Sequence, residues 1–249
     1  MSLLTSFRQG RFVYKTPSFS IAESCALAPG LSTPEQWRSW AKKGFWPTQP
    51  PLATPHIPMM VARRMSLGGR LAVEVALDIM SRHAVEGAVF ASRHGELDRS
   101  IGLLTALARA HSLSPTDFSQ SVHNTAAGLT SIQGRQPIPM SSLAAGSGTF
   151  AAALQEAIGM LADGMERVLV VAFEGVLPTF NQPWLDDEPP PHAVALLLAR
   201  GDEWQGEAVA TDAGATGKGG ALACWRALLT DTPQFRISDG RREWLWQRN

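Results

Sequence analysis

Between Gln136 and Gln155 the chain carries no charged residue, and at the centre of that stretch it reads Leu143-Ala144-Ala145-Gly146-Ser147-Gly148-Thr149-Phe150. A short run with β character, Ile138 to Met140, leads into this turn of very small residues, and an apolar helix opens directly behind it. The helix presents Phe150, Leu154, Ile158 and Leu161 on one side and Ala151, Ala152, Ala153 and Ala157 on its flanks. A helix that is apolar or small most of the way round belongs inside a fold. Its N-terminus, with free N–H groups and the positive end of the dipole, is a place where a fold holds an anion or a reactive group. Asp163-Gly164 supplies its stop.

The segments around it alternate. Arg11 to Ile21 predicts a first strand, with Phe12, Tyr14 and Phe19 as β-formers. Residues 29–58 hold Trp37, Trp40 and Trp46 among prolines 34, 47, 50, 51, 55 and 58; they predict an ordered excursion over the body whose regular structure is confined to a short helix from Pro34 to Lys43. From Ser66, a candidate N-cap, Leu67, Leu71, Val75 and Ile79 recur every four residues beside a charged row of Arg70, Glu74 and Asp78, the signature of an amphipathic helix. Val85 to Ala91 reads as a buried strand and Leu97 to Ala108 as a second helix. Thr116 to Gln133 reads as helix in two pieces broken near Gly128. Val168 to Phe173 and Ala193 to Ala199 are unbroken apolar strands, with a weaker one at Glu207 to Thr211. Apolar strands alternating with helices predict a largely parallel sheet covered on both faces. Residues 1–211 are expected to form one domain and 212–249 a flexible tail, with at most a short helix at Ala221 to Leu229.

Composition excludes several function classes. The chain has 249 residues, enough for one substantial core, and Lys+Arg equals Asp+Glu at 22 each, so no broad nucleic-acid or anionic-membrane footprint is expected. No apolar run approaches the roughly 18 residues of a membrane span, and Met1-Ser-Leu-Leu-Thr-Ser-Phe-Arg is too polar for a secretory core; a cytoplasmic location is expected. Cys25 and Cys224 match no metal spacing and are expected as unpaired thiols. The six histidines show no helical metal pattern, so neither a metal nor another cofactor is expected, though His94 and His123 fall where strand ends and helix starts gather functional groups. Asp212-Ala-Gly-Ala-Thr-Gly217-Lys218-Gly219 lacks the first glycine and the final Ser/Thr of a phosphate loop and reads as a surface loop. Ser147 reads as a helix cap; it lacks the Gly-x-Ser-x-Gly setting of a hydrolase nucleophile.

Arg63-Arg64-Met65 before an amphipathic helix, Val122-His-Asn-Thr-Ala-Ala-Gly128, Pro137-Ile-Pro-Met-Ser-Ser142 entering the small turn, and Arg167-Val-Leu-Val-Val-Ala-Phe-Glu174 stand in one order and spacing. Over about Arg11 to Thr211 the chain thereby resembles the N-terminal half of a β-ketoacyl synthase of thiolase-like fold. The resemblance implies an α/β fold with a mainly parallel five-stranded sheet, helices on both faces and a buried central helix. It places the family's nucleophilic cysteine at Ser147, or at Ala145 or Gly146 if the register slips, and none of these is cysteine. The family's catalytic histidines belong to the second half of the fold, and no histidine follows His192. Condensation needs a thiolate and oxyanion-stabilising groups. The likeness therefore implies a chain-length-factor-like subunit without catalytic residues, of the kind that accompanies an active ketosynthase in aryl polyene and related polyketide or fatty acid pathways, reaching acyl carrier protein through that complex. The segment Gln136-Pro137-Ile138-Pro139-Met140-Ser141-Ser142 would be the partner interface, and Phe118, Val122, His123, Leu129 and Ile132 would line the partner's acyl pocket. An acyltransferase or hydrolase using Ser147, and a purely stabilising scaffold, are the alternatives.

Overall fold

A computed structural model describes residues 4–8, 11–47, 52–181, 189–210, 220–238 and 242–249. Its centre is built from the apolar strands. Strand β4 (Gly87–Ala91) is buried at every position and β6 (Arg167–Glu174) from Val168 through Phe173. They pair in parallel, Gly87 opposite Val168, and β5 (Met140–Leu143) pairs in parallel on the other side of β4. Strand β7 (His192–Ala210) then runs antiparallel to β6, and β3 (Phe19–Leu27) runs antiparallel to β7 with two register shifts. The order β5-β4-β6-β7-β3 is the expected five-stranded sheet, with four strands pointing one way and β7 reversed.

Among the described residues the sheet continues beyond that expectation to nine strands. Strand β7 is 19 residues long and outlasts β6. Its second half pairs with β2 (Arg11–Lys15), itself hairpinned to β1 (Leu4–Arg8), and with β9 (Arg242–Arg248), itself paired to β8 (Gln234–Ser238). Trp204 stands opposite both Phe19 and Arg248, so β9 takes the side of β7 that β6 leaves open. The sheet is therefore mixed, and the expectation of mainly parallel pairing is corrected. Apolar runs report burial on both faces, and an antiparallel strand buried on both faces reads the same as a parallel one.

Alternation along the strands divides the core into two layers. Val168, Val170, Val194, Leu196 and Leu198 face the helix α7 (Thr149–Ala162), α1 (Pro34–Lys43) and α8 (Ala221–Leu229). Leu169, Val171, Ala193, Ala195 and Leu197 face α3 (Leu67–Arg82) and α6 (Thr125–Gly134). Ser66 caps α3 as expected, its Oγ accepting from Gly69 N at 3.0 Å. Of the charged row, Arg70 and Asp78 are half-buried, while Glu74 is buried and binds His56, its Oε1 2.7 Å from Nδ1, which ties the Trp/Pro excursion to α3. Helix α7 buries the side that meets the sheet, but Gln155 and Glu156 are exposed, so it is less enclosed than the sequence implied.

The excursion is ordered through α1, which has a capping box between Thr33 and Gln36 and a left-handed stop at Gly44. Trp37 is buried, donates from Nε1 to Ala26 O at 2.9 Å, and meets Trp40 and Trp225 edge-on. Residues 48–51 lie outside the described residues, and the short helix α2 (Met59–Ala62) follows the excursion.

Two further expectations are corrected. The first strand is divided into β2 and β3 by Thr16-Pro17-Ser18, where the proline has no N–H to offer the ladder and Thr16 instead binds Gly206 through both backbone and Oγ1. The segment 212–249, expected as a flexible tail, holds α8, β8 and β9, with Cys224, Trp244 and Trp246 buried. Trp246 covers Gly206 so closely that a Cβ there would lie 2.5 Å from its ring. The Asp212–Gly219 loop reading and Thr211 fall outside the described residues.

Candidate functional site

Strands β4, β5 and β6 end side by side, and three loops leave their carboxyl ends together. Ser92 N donates to Leu143 O at 3.3 Å, joining the first two. Glu174, the last residue of β6, clamps the loop after β4: its carboxylate accepts from Arg93 N at 2.6 Å, Ser92 Oγ at 3.1 Å and His94 N at 3.3 Å. His123 closes the other side. Its Nε2–H donates to Ser92 O at 2.9 Å, which fixes the tautomer, and its ring lies against Gly95, whose φ of 53° and missing Cβ permit the approach. Both groups hold backbone in place, His123 through Nε2.

The turn after β5 contains the nucleophile-equivalent positions. Gly146–Gly148 form a 3₁₀ turn, with Gly146 at φ 57° and Ser147 half-buried at its centre. Helix α7 begins at Thr149 without a side-chain cap. Thr149 ties the turn together instead, its Oγ1 accepting from Ala145 N at 2.9 Å and donating to Gly146 O at 2.7 Å. Ser147 thus sits inside the 3₁₀ turn and not at the N-cap that the sequence implied, because the turn moves the helix start by two residues.

Strand β5 is the edge of the sheet and pairs with β4 alone among the described residues. Its outer N–H and C=O groups are left for another chain or for water. Before it, Pro139 O accepts from Ala88 N at 3.0 Å, and above it Ser141 Oγ donates to Glu156 of α7 at 3.1 Å. Pro137 and Pro139 are exposed, while Gln136, Ile138, Met140, Ser141 and Ser142 are half-buried.

Three of the expected pocket residues are open to solvent in this chain. Phe118, on α5 (Pro115–Ser119), Val122 and Ile132 are exposed at 66%, 50% and 67%, and Leu129 is half-buried against the α3 side of the core. The helical break falls at residues 120–124, between α5 and α6, and not near Gly128. Gly128 stays helical because Ala126, Ala127 and Thr130 of the same helix are buried.

Sequence reasoning missed the cavities beside α4 (Leu97–Ala108). One of about 630 Å³ is lined by Met65, Leu67, Glu96, Arg99, Gly102 and Val176, among others. A second of about 450 Å³ shares Met65, Arg99 and Asp117 with it and adds Arg63 and Arg64. Gly175 of the first cavity's wall packs on Gly68: a Cβ there would lie 2.7 Å from Gly175 Cα, so α3 can meet the chain after β6 only through glycine. Glu96 is 5% exposed, and burial pushes its carboxyl above the ordinary range, against Ser66 Oγ–H at 2.9 Å and the charge of Arg99. Its Oε2 is 3.8 Å from Arg99 Nε and neither atom has a hydrogen-bond partner. A single acidic residue before a helix ordinarily signals favourable dipole charge, which is why Glu96 did not stand out in the sequence. Burial likewise pushes the Cys25 and Cys224 thiols up. Among the described residues, no group of three or more His, Cys, Asp or Glu could hold a metal ion, and no helix is long and apolar enough to cross a membrane.

The sequence profile of the family described as beta-ketoacyl synthase, N-terminal domain, matches residues 37–247, from α1 to β9. The chain belongs to the β-ketoacyl synthase family. A comparison with curated proteins gave no match. Among solved structures, a chain of the ketosynthase (ApeO) in complex with its chain length factor (ApeC) from Xenorhabdus doucetiae is 34% identical with a TM-score of 0.85; the match covers 93% of this chain and 99% of that one. The ishigamide ketosynthase/chain length factor gives a TM-score of 0.58 at 15% identity, covering 79% of this chain and 65% of that chain. A β-ketoacyl synthase from Burkholderia phymatum gives 0.55 at 14%, covering 74% and 59%. At these lower identities the likeness is one of fold, and the thiolase-like α/β fold of an N-terminal ketosynthase half is the architecture found here.

Proposed function

We propose that this chain is a non-catalytic, chain-length-factor-like subunit that pairs with an active β-ketoacyl synthase and shapes the tunnel holding the growing acyl chain, in aryl polyene or a related polyketide or fatty acid pathway. The observation that carries the proposal is the match, over nearly the whole of both chains, to a chain from a complex of a ketosynthase with its chain length factor. Chemistry supports it. Thiolate attack needs a cysteine at the turn into α7, and Leu143 to Phe150 contains none, while the thiols of Cys25 and Cys224 are raised by burial. The interface is the open edge of β5, whose strand can pair with its counterpart in the ketosynthase. The exposed side chains of Phe118, Val122 and Ile132 then face the partner's pocket. Carrier protein is engaged through the complex, in the cytoplasm, and no cofactor takes part.

Co-expression with a ketosynthase from the same pathway, followed by size-exclusion chromatography, tests the pairing. A one-to-one complex is expected, with the chain poorly soluble alone; a well-behaved monomer that ignores the ketosynthase overturns it. In the same complex Ser147→Ala is expected to leave turnover within a few fold. A loss of roughly 100-fold or more would assign Ser147 a catalytic role and favour the acyltransferase or hydrolase reading.

A further inference from the structure

We infer that the cavity between α3 and α4 is a binding site for a neutral molecule that carries a hydroxyl group on an apolar body, the hydroxyl being held between Glu96 and Arg99. The cavity, at about 630 Å³, has the size of small-molecule sites. Its walls are of two kinds: Met65, Leu67, Leu103 and Val176 offer apolar surface, and Glu96, Asp98, Arg99 and Asp117 offer charge.

The Glu96–Arg99 pair is incompletely satisfied. Glu96 Oε1 is taken by Ser66 Oγ–H at 2.9 Å. The guanidinium of Arg99 is held at its far end, Nη1 by Asp117 and Nη2 by Arg64 O at 2.8 Å. Glu96 Oε2 and Arg99 Nε remain, 3.8 Å apart, the one an acceptor and the other a donor, on side chains only 2% and 13% exposed. Buried polar atoms without partners are uncommon, and two of complementary kind beside one cavity mark a place where a third group belongs. An oxygen at hydrogen-bond distance from both can accept from Arg99 and donate to Glu96, which an alcohol or phenol does. At the point between the two atoms a carboxylate would meet the Glu96 charge, an ammonium would meet Arg99, and a hydrocarbon would leave both atoms unpaired. Glu96 and Arg99 both line the cavity, but these two atoms expose almost no surface, so the hydroxyl reaches them by displacing a side chain. Met65, unbranched and lining both cavities, is the one that moves at least cost. The raised carboxyl of Glu96 agrees with a site sheltered from bulk water, where a hydrogen bond meets little competition.

The test is calorimetric titration of the full chain, as its complex with a ketosynthase wherever that is the soluble form, with four probes that differ only in head group: para-butylphenol, para-butylbenzoate, para-butylbenzylamine and butylbenzene. The phenol is expected to bind one-to-one and about 10- to 100-fold tighter than the other three, the range for a hydrogen bond to a charged partner. Glu96→Leu is expected to reduce phenol binding to the level of butylbenzene. Gly102→Leu, at a position where an added Cβ meets nothing within 4 Å and where leucine suits the helix better than glycine, is expected to abolish binding of the phenol with the carboxyl intact. No binding by the phenol, equal binding of phenol and butylbenzene, or phenol binding unchanged in Gly102→Leu would each overturn the assignment.

Discussion

Glu96 combines a position at the carboxyl end of the parallel strands with burial that makes its ionised form costly. The folded chain holds this proton more tightly than the unfolded chain does. Stability therefore falls as pH rises from the ordinary carboxylate value of 4.5 up to the raised folded-state value, and stays lowered above it. Glu96→Gln removes that cost while retaining an acceptor for Ser66 Oγ. The expected outcome is a higher urea midpoint than wild type at neutral pH and no difference below 4.5, where Glu96 is protonated in both states. An equal shift at both pH values would show that the variant acts through packing instead of charge. Glu74, by contrast, is buried with its partner in place, since His56 N and Nδ1 both meet its carboxylate. Two buried carboxylates on neighbouring elements thus serve different ends, one bracing the excursion and one left with an open valence.

At the scale of elements, α4, α5 and α6 are anchored very differently. Helix α4 buries none of its residues, and Leu104 and Leu107 are exposed at 61% and 62%. Helix α6 is seated on α3 through Ala126, Ala127 and Thr130, with Ile132 pointing away. Exposed side chains can be trimmed with little effect on folding, usually within about 0.5 kcal/mol. Phe118→Ala and Ile132→Ala are accordingly expected to preserve the complex with the ketosynthase and to lengthen its dominant product, read by mass spectrometry of carrier-bound intermediates. An unchanged length distribution in an intact complex would leave the chain a scaffold role. Leu129 is a poorer probe than its neighbours: it packs against the core, so a larger side chain there strains this chain before it fills a partner's tunnel.

Over the whole molecule, the reversed strand β7 is the organising element. Its first half completes the five-stranded sheet and its second half collects the N-terminal hairpin and the β8–β9 pair. The join is aromatic: Trp246 is fully buried, stacks beside Trp244 and Phe235, and meets Phe19 edge-on at 5.9 Å. Trp246→Ala is expected to destabilise the chain by about 3–5 kcal/mol, the usual range for a buried tryptophan, and to do so in one cooperative transition. A midpoint near that of wild type in urea denaturation would mean that the C-terminal elements are an appendage to the core.

The sequence alone determined what local chemistry encodes. Thr33-Pro34 and Gly44 delimit α1, Ser66 caps α3, and Ala221 to Leu229 forms α8 within the expected bounds, because caps and 3.6-residue periodicity are properties of contiguous residues. The order of motifs around the small turn also carried the family, since spacing along a chain survives in the chain itself. Strand direction was not legible: Val168–Phe173 and Ala193–Ala199 are equally apolar, and only their connection through space makes one pair antiparallel to its neighbour. The C-terminal strands were hidden because Trp244 and Trp246 stand among charges, and their burial depends on Phe19, Trp204 and Gly206, far off in sequence. Glu96 and Arg99 come together with Ser66, Arg64 and Asp117 holding their other oxygens and nitrogens and with Oε2 and Nε left over, and no single stretch of sequence contains that arrangement. Tertiary structure decided those features, because burial and hydrogen-bond satisfaction are properties of neighbours in space.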